Sequence, residues 1–225
     1  MPRPIVVDGL RLSRSLTEPS RGAVCRLEIC GGGCCGGGIW LDVLHVQRIL
    51  AHTDAIAALL APARRDPDGW FSDEVMDHAD FPSGVGTATA IGPRPDGSGR
   101  DGCVFLVADN CCALQRVSEA EGLGWPGLKP FDCATFPILR SEGAVLWDHR
   151  TAEAIPGEAD CKRPAAGRGP SLASVFVAEA QLALGGRGVE RMAQLERRRA
   201  ARRGERSGGD GGGEGDGGGD GAGQA

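Results

Sequence analysis

The sequence contains no tyrosine, and its other aromatic residues are limited to six Phe and four Trp in 225 residues. Few large side chains are therefore available to fill a hydrophobic core, so the burial of apolar surface should be modest for a chain of this length. We expect another kind of interaction to help stabilise the fold, as happens in domains with thin cores.

Long apolar runs are also absent. No stretch approaches the roughly 18 apolar residues that suggest a membrane-spanning helix, and the first residues, MPRPIVVDGLRLSRS, lack the apolar region of a secretory signal. The sequence predicts a soluble, cytoplasmic protein with no membrane partner. Because thiols stay reduced in that compartment, its nine cysteines favour metal ligands or redox groups over structural disulfides.

Several catalytic and binding patterns are missing. There is no P-loop, dinucleotide fingerprint or Ser/His/Asp elbow, and GGGCCGGG has neither a preceding buried strand nor the required glycine spacing. The run RRRAARRGER has no interleaved aromatic residues and precedes an acidic tail, so nucleic-acid binding is not expected. The segment DEVMDHAD lacks the order of a calcium loop, and His45 and His52 are more typical of helix packing than of a metal or proton-transfer site.

Composition divides the chain into three parts. Residues 1–21 form a polar N-terminal arm, residues 22–203 a cysteine-rich domain, and residues 204–225 a tail of Gly, Asp and Glu that should be disordered. The pattern of short β-prone runs and amphipathic segments predicts an α+β fold. This fold would be a small metal-organised domain of short β-hairpins and several helices.

The individual elements follow from periodicity and turn residues. We expect a short strand at residues 5–7 and a helical segment over WLDVLHVQRILAHTDAIAALL that is interrupted near Thr53. CVFLVADNCCAL and PILRSEGAVLWD should form β-hairpins, the second with a turn at residues 141–143. SLASVFVAEAQLAL should form a helix that ends at Gly185, and VERMAQLERRRAARR should form the last helix.

The cysteines form one tight cluster and one dispersed set. The cluster CRLEICGGGCC has glycines that allow the positive φ angles of a tight bend, and its co-localised thiolates would repel each other without a bound cation. Ligands from the dispersed set would connect distant parts of the chain. The cluster comprises Cys25, Cys30, Cys34 and Cys35, and the dispersed set comprises Cys103, Cys111, Cys112, Cys133 and Cys161.

The adjacent cysteines Cys111 and Cys112 should point to opposite faces if they lie in a strand. With a two-residue turn at Asp109 and Asn110, Val107 would pair with Cys112, Cys103 would share the face of Cys112, and Cys111 would point away. A three-residue loop would reverse that assignment. With Cys111 set aside, eight cysteines remain, enough for two four-thiolate sites.

The segments CRLEICGGGCC, GCVFLVADNCCAL and KPFDCATFPI, with the isolated Cys161 before two terminal helices, resemble the CxxxCC zinc- or iron-chelating domain, the YkgJ-type cysteine-cluster proteins. That family has an opening C-x(n)-C-x3-C-C, a C-x8-C hairpin and a C-x-x-[FY]-P step, which Cys133 to Pro137 match. The resemblance covers roughly residues 21–203. The segment GGGIWLDVLHV departs from the polar sequence that commonly follows the CC pair, so the helix start is left open.

The resemblance implies that metal or cluster binding falls on eight of the nine cysteines and leaves Cys111 outside the pattern. The implied ligands are Cys25, Cys30, Cys34, Cys35, Cys103, Cys112, Cys133 and Cys161. Their irregular spacing, and Pro137 close to Cys133, favour an iron–sulfur cluster slightly over zinc.

The sequence leaves three functions open. The first is a metal-binding protein whose thiolates chelate zinc or an iron–sulfur centre, with no reaction assigned. The second is an iron–sulfur-dependent redox or group-transfer enzyme, since related cysteine clusters occur in proteins resembling flagellin lysine-N-methylases. The third is a thiol redox sensor or metal chaperone that uses the CC pair.

Overall fold

The computed structural model describes residues 5–20, 30–155, 161–162 and 169–207, with side chains up to residue 201. It confirms an α+β fold. The helices are α1 (Val43–Leu50), α2 (Thr53–Leu59), α3 (Ala113–Ala120), α4 (Phe131–Thr135), α5 (His149–Ala154), α6 (Leu172–Val175) and α7 (Val177–Ser207). The strands are β1 (Ile5–Val7), β2 (Leu10–Leu12), β3 (Trp40–Asp42), β4 (Phe71–Asp77), β5 (Val85–Thr89), β6 (Ile91–Pro93), β7 (Asp101–Cys103), β8 (Ile138–Ser141) and β9 (Ala144–Trp147). The predicted tail falls mostly outside the described residues.

The strands form three small sheets. The largest has the order β1-β2-β9-β8, in which β2 and β9 run parallel and the other pairs run antiparallel. A second sheet has the order β3-β5-β4, and β6 pairs with β7 in a third. No helix in the described part of the chain is long and apolar enough to cross a membrane.

Residues 5–20 of the polar N-terminal arm pack against the rest of the domain. The expected strand at residues 5–7 is present as β1, and β2 pairs with β9 of the central hairpin. Leu12 and the following Leu16 are buried in the core beneath this sheet. Burying each leucine stabilises the fold by roughly 1.5–3 kcal/mol, so the segment packs into the domain despite its polar composition.

One of the two predicted hairpins is confirmed. Strands β8 and β9 pair antiparallel from Ile138–Trp147 to Ser141–Ala144, around a turn with Glu142 and Gly143 at positive φ. Such a two-residue turn matches the twist of the flanking strands.

The other predicted hairpin, CVFLVADNCCAL, is wrong. Strand β7 ends at Cys103 and pairs with β6, and a single antiparallel bridge then joins Leu106 to Cys112. Residues 108–110 form a three-residue loop, because the N–H of Val107 donates to the carbonyl of Cys111 at 3.0 Å. Helix α3 begins at the next residue after the bridge, so no return strand can form.

The helical segment after the glycine cluster begins later than its hydrophobic pattern suggested. Residues 40–42 form strand β3, and Asp42 then caps α1. Its Oδ1 accepts a hydrogen bond from the N–H of Leu44 at 2.7 Å, and its Oδ2 accepts one from the N–H of Ser83 at 2.8 Å. The expected interruption lies at residues 51–52, since α2 begins at Thr53.

We expect Asp42→Ala to lower the free energy of unfolding by about 1–2 kcal/mol, the usual cost of losing an N-cap. Burial by itself raises the pKa of Asp42, but the N–H groups of Ser83 and Leu44 lower that pKa overall. The carboxylate therefore contributes stability at neutral pH, and this contribution is lost as the pH falls through its folded pKa. Urea unfolding at neutral and acidic pH measures both effects. Asp42→Asn, which can still cap, should lose less, and an Ala variant as stable as the native chain would contradict the assignment.

The C-terminal helices break at two positions. The predicted helix from Ser171 divides at Phe176 into α6 and α7, where φ is −97° and ψ is 63°. Gly185 has φ 67° and ψ 174° and interrupts α7, at the position where the sequence predicted a helix end. A left-handed φ of this kind favours glycine because it has no Cβ.

Two hydrophobic cores hold these elements. The first core lies between the four-stranded sheet and the C-terminal helices and includes Leu12, Leu16, Ile138, Val145, Trp147, Leu172, Phe176, Leu184 and Met192. The second core lies under α1, α2 and α3 and includes Leu41, Ile49, Ile56, Leu60, Trp70, Phe105, Leu114, Val117 and Leu128. Cys161 packs against the first core, whereas Cys103, Cys111 and Cys112 pack against the second.

Candidate metal centre

Seven of the eight cysteines that the resemblance assigns to metal lie among the described residues, and Cys25 lies outside them. Seven of the described cysteines, including Cys111, are free thiols: Cys34, Cys35, Cys103, Cys111, Cys112, Cys133 and Cys161. Cys30 is buried and the others are partly buried. They fall into two groups that interact with each other through Cys34 and Cys35.

The first thiol group comprises Cys30, Cys34 and Cys161. The three residues pack together with Ile155 and Phe136 in a small apolar cluster of their own. Burial, with the charges of Cys34 and Cys30, raises the pKa of Cys161 to about 12. A free thiolate is therefore disfavoured here unless a cation compensates it.

The first thiol group is held in place by close packing and by a hydrogen bond. Gly33 lies so close to Ile155 that an added Cβ would be 2.6 Å from its Cγ2. Trp147, which is fully buried, donates from its indole N–H to the carbonyl of Cys161 at 3.1 Å. The glycine between Cys30 and Cys34 thus lets the cysteine loop approach the segment after α5.

The second thiol group comprises Cys35, Cys103, Cys112 and Cys133. Cys103 ends β7, Cys112 is the residue before α3, and Cys133 lies in α4. Burial raises the pKa of Cys133 well above its usual range, and the charges of Cys112, Cys103 and Cys34 raise it further. Burial also raises the pKa of Cys112 and of Cys103, whose Sγ lies 3.5 Å from the hydroxyl of Thr89.

The adjacent residues Cys34 and Cys35 join the two groups. The Cys35 thiol donates a hydrogen bond to Cys34, which lowers the pKa of Cys34 and raises that of Cys35 well above its usual range. Cys34 also interacts with Cys30 and with Cys133, and Cys35 also interacts with Cys133 and Cys112. The CC pair therefore faces both groups at once.

Cys111 has a different environment. Its N–H donates to Oδ1 of Asp109 at 3.2 Å, and its thiol also donates to that carboxylate. These bonds lower the pKa of Asp109, a residue of the exposed turn. Its neighbour Cys112 interacts with Cys103 instead.

Three cationic side chains surround the thiols, and the sequence analysis identified none of them. Lys129 favours the thiolate forms of Cys34, Cys112 and Cys133. Arg64 favours the thiolate form of Cys103 and donates to main-chain carbonyls, including that of Cys103 at 3.2 Å. No sequence pattern marks these residues, because their roles depend on segments far away in the chain.

Arg94 is the third of these cations, and its buried guanidinium holds the cysteine loop. It donates to the carbonyl of Gly31 at 2.5 Å and to that of Gly32 at 3.0 Å. Its Nε also donates to the carbonyl of Asp101 at 3.0 Å. Arg94 thus connects the loop that carries Cys30, Cys34 and Cys35 to the β6–β7 hairpin that carries Cys103.

The two histidines and the acidic segment considered in the sequence analysis lie away from the thiols or contact other residues. Nε2 of His45 lies 2.8 Å from the carbonyl of Leu128, and Nδ1 of His52 lies 2.6 Å from a carboxylate oxygen of Glu121. The carboxylates of DEVMDHAD lie on the exposed strand β4 and the turn after it. These positions agree with the packing and solvated roles that the sequence favoured.

No family model, curated protein or solved structure matches this chain. The function must therefore be inferred from the thiols themselves. Within the described residues, no group of three or more His, Cys, Asp or Glu side chains could hold a metal ion. By their chemistry, however, the thiols suit a soft cation: they are buried or partly buried, and sulfur ligands favour zinc and iron–sulfur clusters.

Proposed function

We propose that this chain is a metal-binding protein whose clustered cysteine thiolates hold zinc or an iron–sulfur centre. The residues that would hold it are the described Cys30, Cys34, Cys35, Cys103, Cys112, Cys133 and Cys161, with Cys25 added by the resemblance alone. The observation that supports the proposal is the mutual interaction of thiols from segments as far apart in sequence as Cys34, Cys133 and Cys161.

The pKa shifts indicate what a metal would change. Burial and neighbouring thiols raise the pKa of Cys133 and of Cys161, so these side chains remain protonated at neutral pH without a cation. A bound metal would replace those protons and bring the sulfur atoms together, and its binding free energy would then become folding free energy. This would supply the stabilisation that a core poor in aromatic residues lacks.

A metal analysis tests the proposal directly. The untagged chain should be purified anaerobically, without added metal, and examined by mass spectrometry and UV–visible absorption. We expect tightly bound zinc or iron. An iron–sulfur centre would give a brown chromophore that bleaches on reduction, and a colourless, zinc-loaded protein would exclude it. A chain that binds neither metal, even after reconstitution with zinc or with iron and sulfide, would overturn the proposal.

The same preparation separates the other functions that the sequence left open. A metal chaperone should release its metal quickly to a chromogenic chelator, whereas a structural centre should resist the chelator until the chain unfolds. A thiol sensor should lose titratable thiols on exposure to mild peroxide and recover them with a reductant.

A further inference from the structure

Strand β4 lies at the edge of the β3-β5-β4 sheet, so only one of its two sides has a strand partner in the described part of the chain. It pairs antiparallel with β5, and the ladder is regular from Val75 to Asp77. The N–H of His78 donates to the carbonyl of Gly84 at 2.8 Å and extends this ladder by one residue. The outer side of an edge strand presents unpaired backbone N–H and C=O groups, which can pair with a strand of another chain.

The C-terminal part of β4 is uncovered on both of its faces. Every residue from Asp73 to Asp77 is exposed, and successive side chains of a strand point to opposite faces, so neither face is buried against the rest of the protein. Two neighbouring residues in this stretch are apolar, since Val75 is 59% exposed and Met76 is 51% exposed. Natural sheets usually avoid apolar side chains on an open edge, so this edge is suited to a partner strand that covers it.

Carboxylates flank the apolar pair. Glu74 precedes Val75, Asp77 follows Met76, and Asp73 lies before Glu74. None of the three carboxylates forms an ion pair with a side chain that the structure describes. Like charges directly opposite each other destabilise a strand pair, whereas opposite charges stabilise it. The charges therefore disfavour a second copy of β4 at this edge and favour a strand that carries Lys or Arg.

We propose that β4 is a docking site for an extended, basic segment of a partner protein, which adds to the sheet as a new strand. Such strand addition gains affinity from main-chain hydrogen bonds and specificity from the side chains. Each residue of the added strand shares a face with the residue opposite it. The matching segment therefore has two neighbouring apolar residues, opposite Val75 and Met76. Lys or Arg residues flank that pair, opposite Glu74 and Asp77.

A synthetic peptide tests the docking site. The order of charged and apolar residues from Glu74 to Asp77 is the same in both directions, so one probe serves for parallel and antiparallel addition. A short fluorescent peptide with a Lys-Val-Val-Lys core should bind the full chain at low ionic strength, and its binding should weaken as salt screens the exposed charges. A matched peptide with a Glu-Val-Val-Glu core should not bind. Fluorescence anisotropy measures both affinities.

Charge reversal distinguishes this edge from other acidic surfaces. In a variant that carries Glu74→Lys and Asp77→Lys, two attractive pairs become repulsive, so affinity for the Lys peptide should fall roughly tenfold or more. The same variant should bind the Glu peptide, and this gain of binding would also show that the variant is folded. The matched control carries Glu153→Lys and Glu190→Lys, which change exposed residues of helices α5 and α7. It should leave both affinities unchanged.

Amide hydrogen exchange locates the peptide on the native chain without any variant. Main-chain pairing should slow exchange within residues 74–77 when the Lys peptide is present in excess. Binding without that protection, equal binding of both peptides, or no binding of the Lys peptide at low ionic strength would overturn the proposal. Protection of the same amides that grows with the concentration of the chain alone would assign the edge to a second copy, and would also overturn it. These results do not depend on whether the chain holds a metal.

Discussion

Replacing Cys133 by Ser should remove the metal from the second thiol group and sharply lower the stability of the metal-loaded chain. A serine hydroxyl has nearly the same shape as the thiol but ionises far less readily, so it is a poor ligand. Structural zinc contributes roughly 10–16 kcal/mol to small metal-dependent domains. Loss of half of such a contribution, about 5–8 kcal/mol, would be comparable with the total stability of a typical domain, roughly 5–15 kcal/mol. Metal content and urea unfolding of the metal-loaded proteins measure the effect.

Measuring the stability of the same variant without metal isolates the contribution of the metal. In the presence of a strong chelator, Cys133→Ser should differ from the native chain by no more than about 1–3 kcal/mol, the range expected for a buried polar substitution. Cys111→Ser is the matched control, since it removes a thiol that hydrogen-bonds to the exposed Asp109. An equal loss of stability with and without metal would show that Cys133 contributes only through packing.

The periodic parts of the fold could be predicted from the sequence. Strand β1 and the β8–β9 hairpin follow from short apolar runs with clear turn residues, and their hydrophobic faces leave few alternatives. The α1–α2 segment follows from helical spacing. Strand β3, which ends at Asp42 directly before α1, was not predicted because it follows a glycine-rich sequence.

The environment of the CC residues at positions 111 and 112 could not be predicted, because it depends on where a helix begins. By strand alternation, a two-residue loop would place Cys112 on the face of Cys103, and a three-residue loop would place Cys111 there. The three-residue loop occurs. Nevertheless, Cys112 interacts with Cys103. The chain enters α3 immediately after Cys112, so the alternation rule of an extended strand no longer applies.

The position of the cysteine loop could not be predicted either, because the buried guanidinium of Arg94 holds the loop. Arg94→Ala should lower the free energy of unfolding by about 3–4 kcal/mol, because a buried carbonyl that loses its donor costs about 1–3 kcal/mol and the substitution removes the donor of one buried and two part-buried carbonyls. These carbonyls belong to Gly31, Gly32 and Asp101. Water that enters the gap would offset part of the sum.

The effect of Arg94→Ala should reach metal affinity as well as stability. The guanidinium holds the loop carrying Cys30, Cys34 and Cys35 against the β6–β7 hairpin, so its loss should weaken metal binding roughly 10–100-fold, the range seen when residues supporting metal ligands are removed. Arg198→Ala is the matched control, because Arg198 is exposed on α7, away from the cysteine loop in sequence. It should change stability by less than about 0.5 kcal/mol. Competition with a chelator, measured beside urea unfolding, separates the two roles: an Arg94 variant that is unstable but keeps native metal affinity would show that the arginine supports the fold without positioning the thiols.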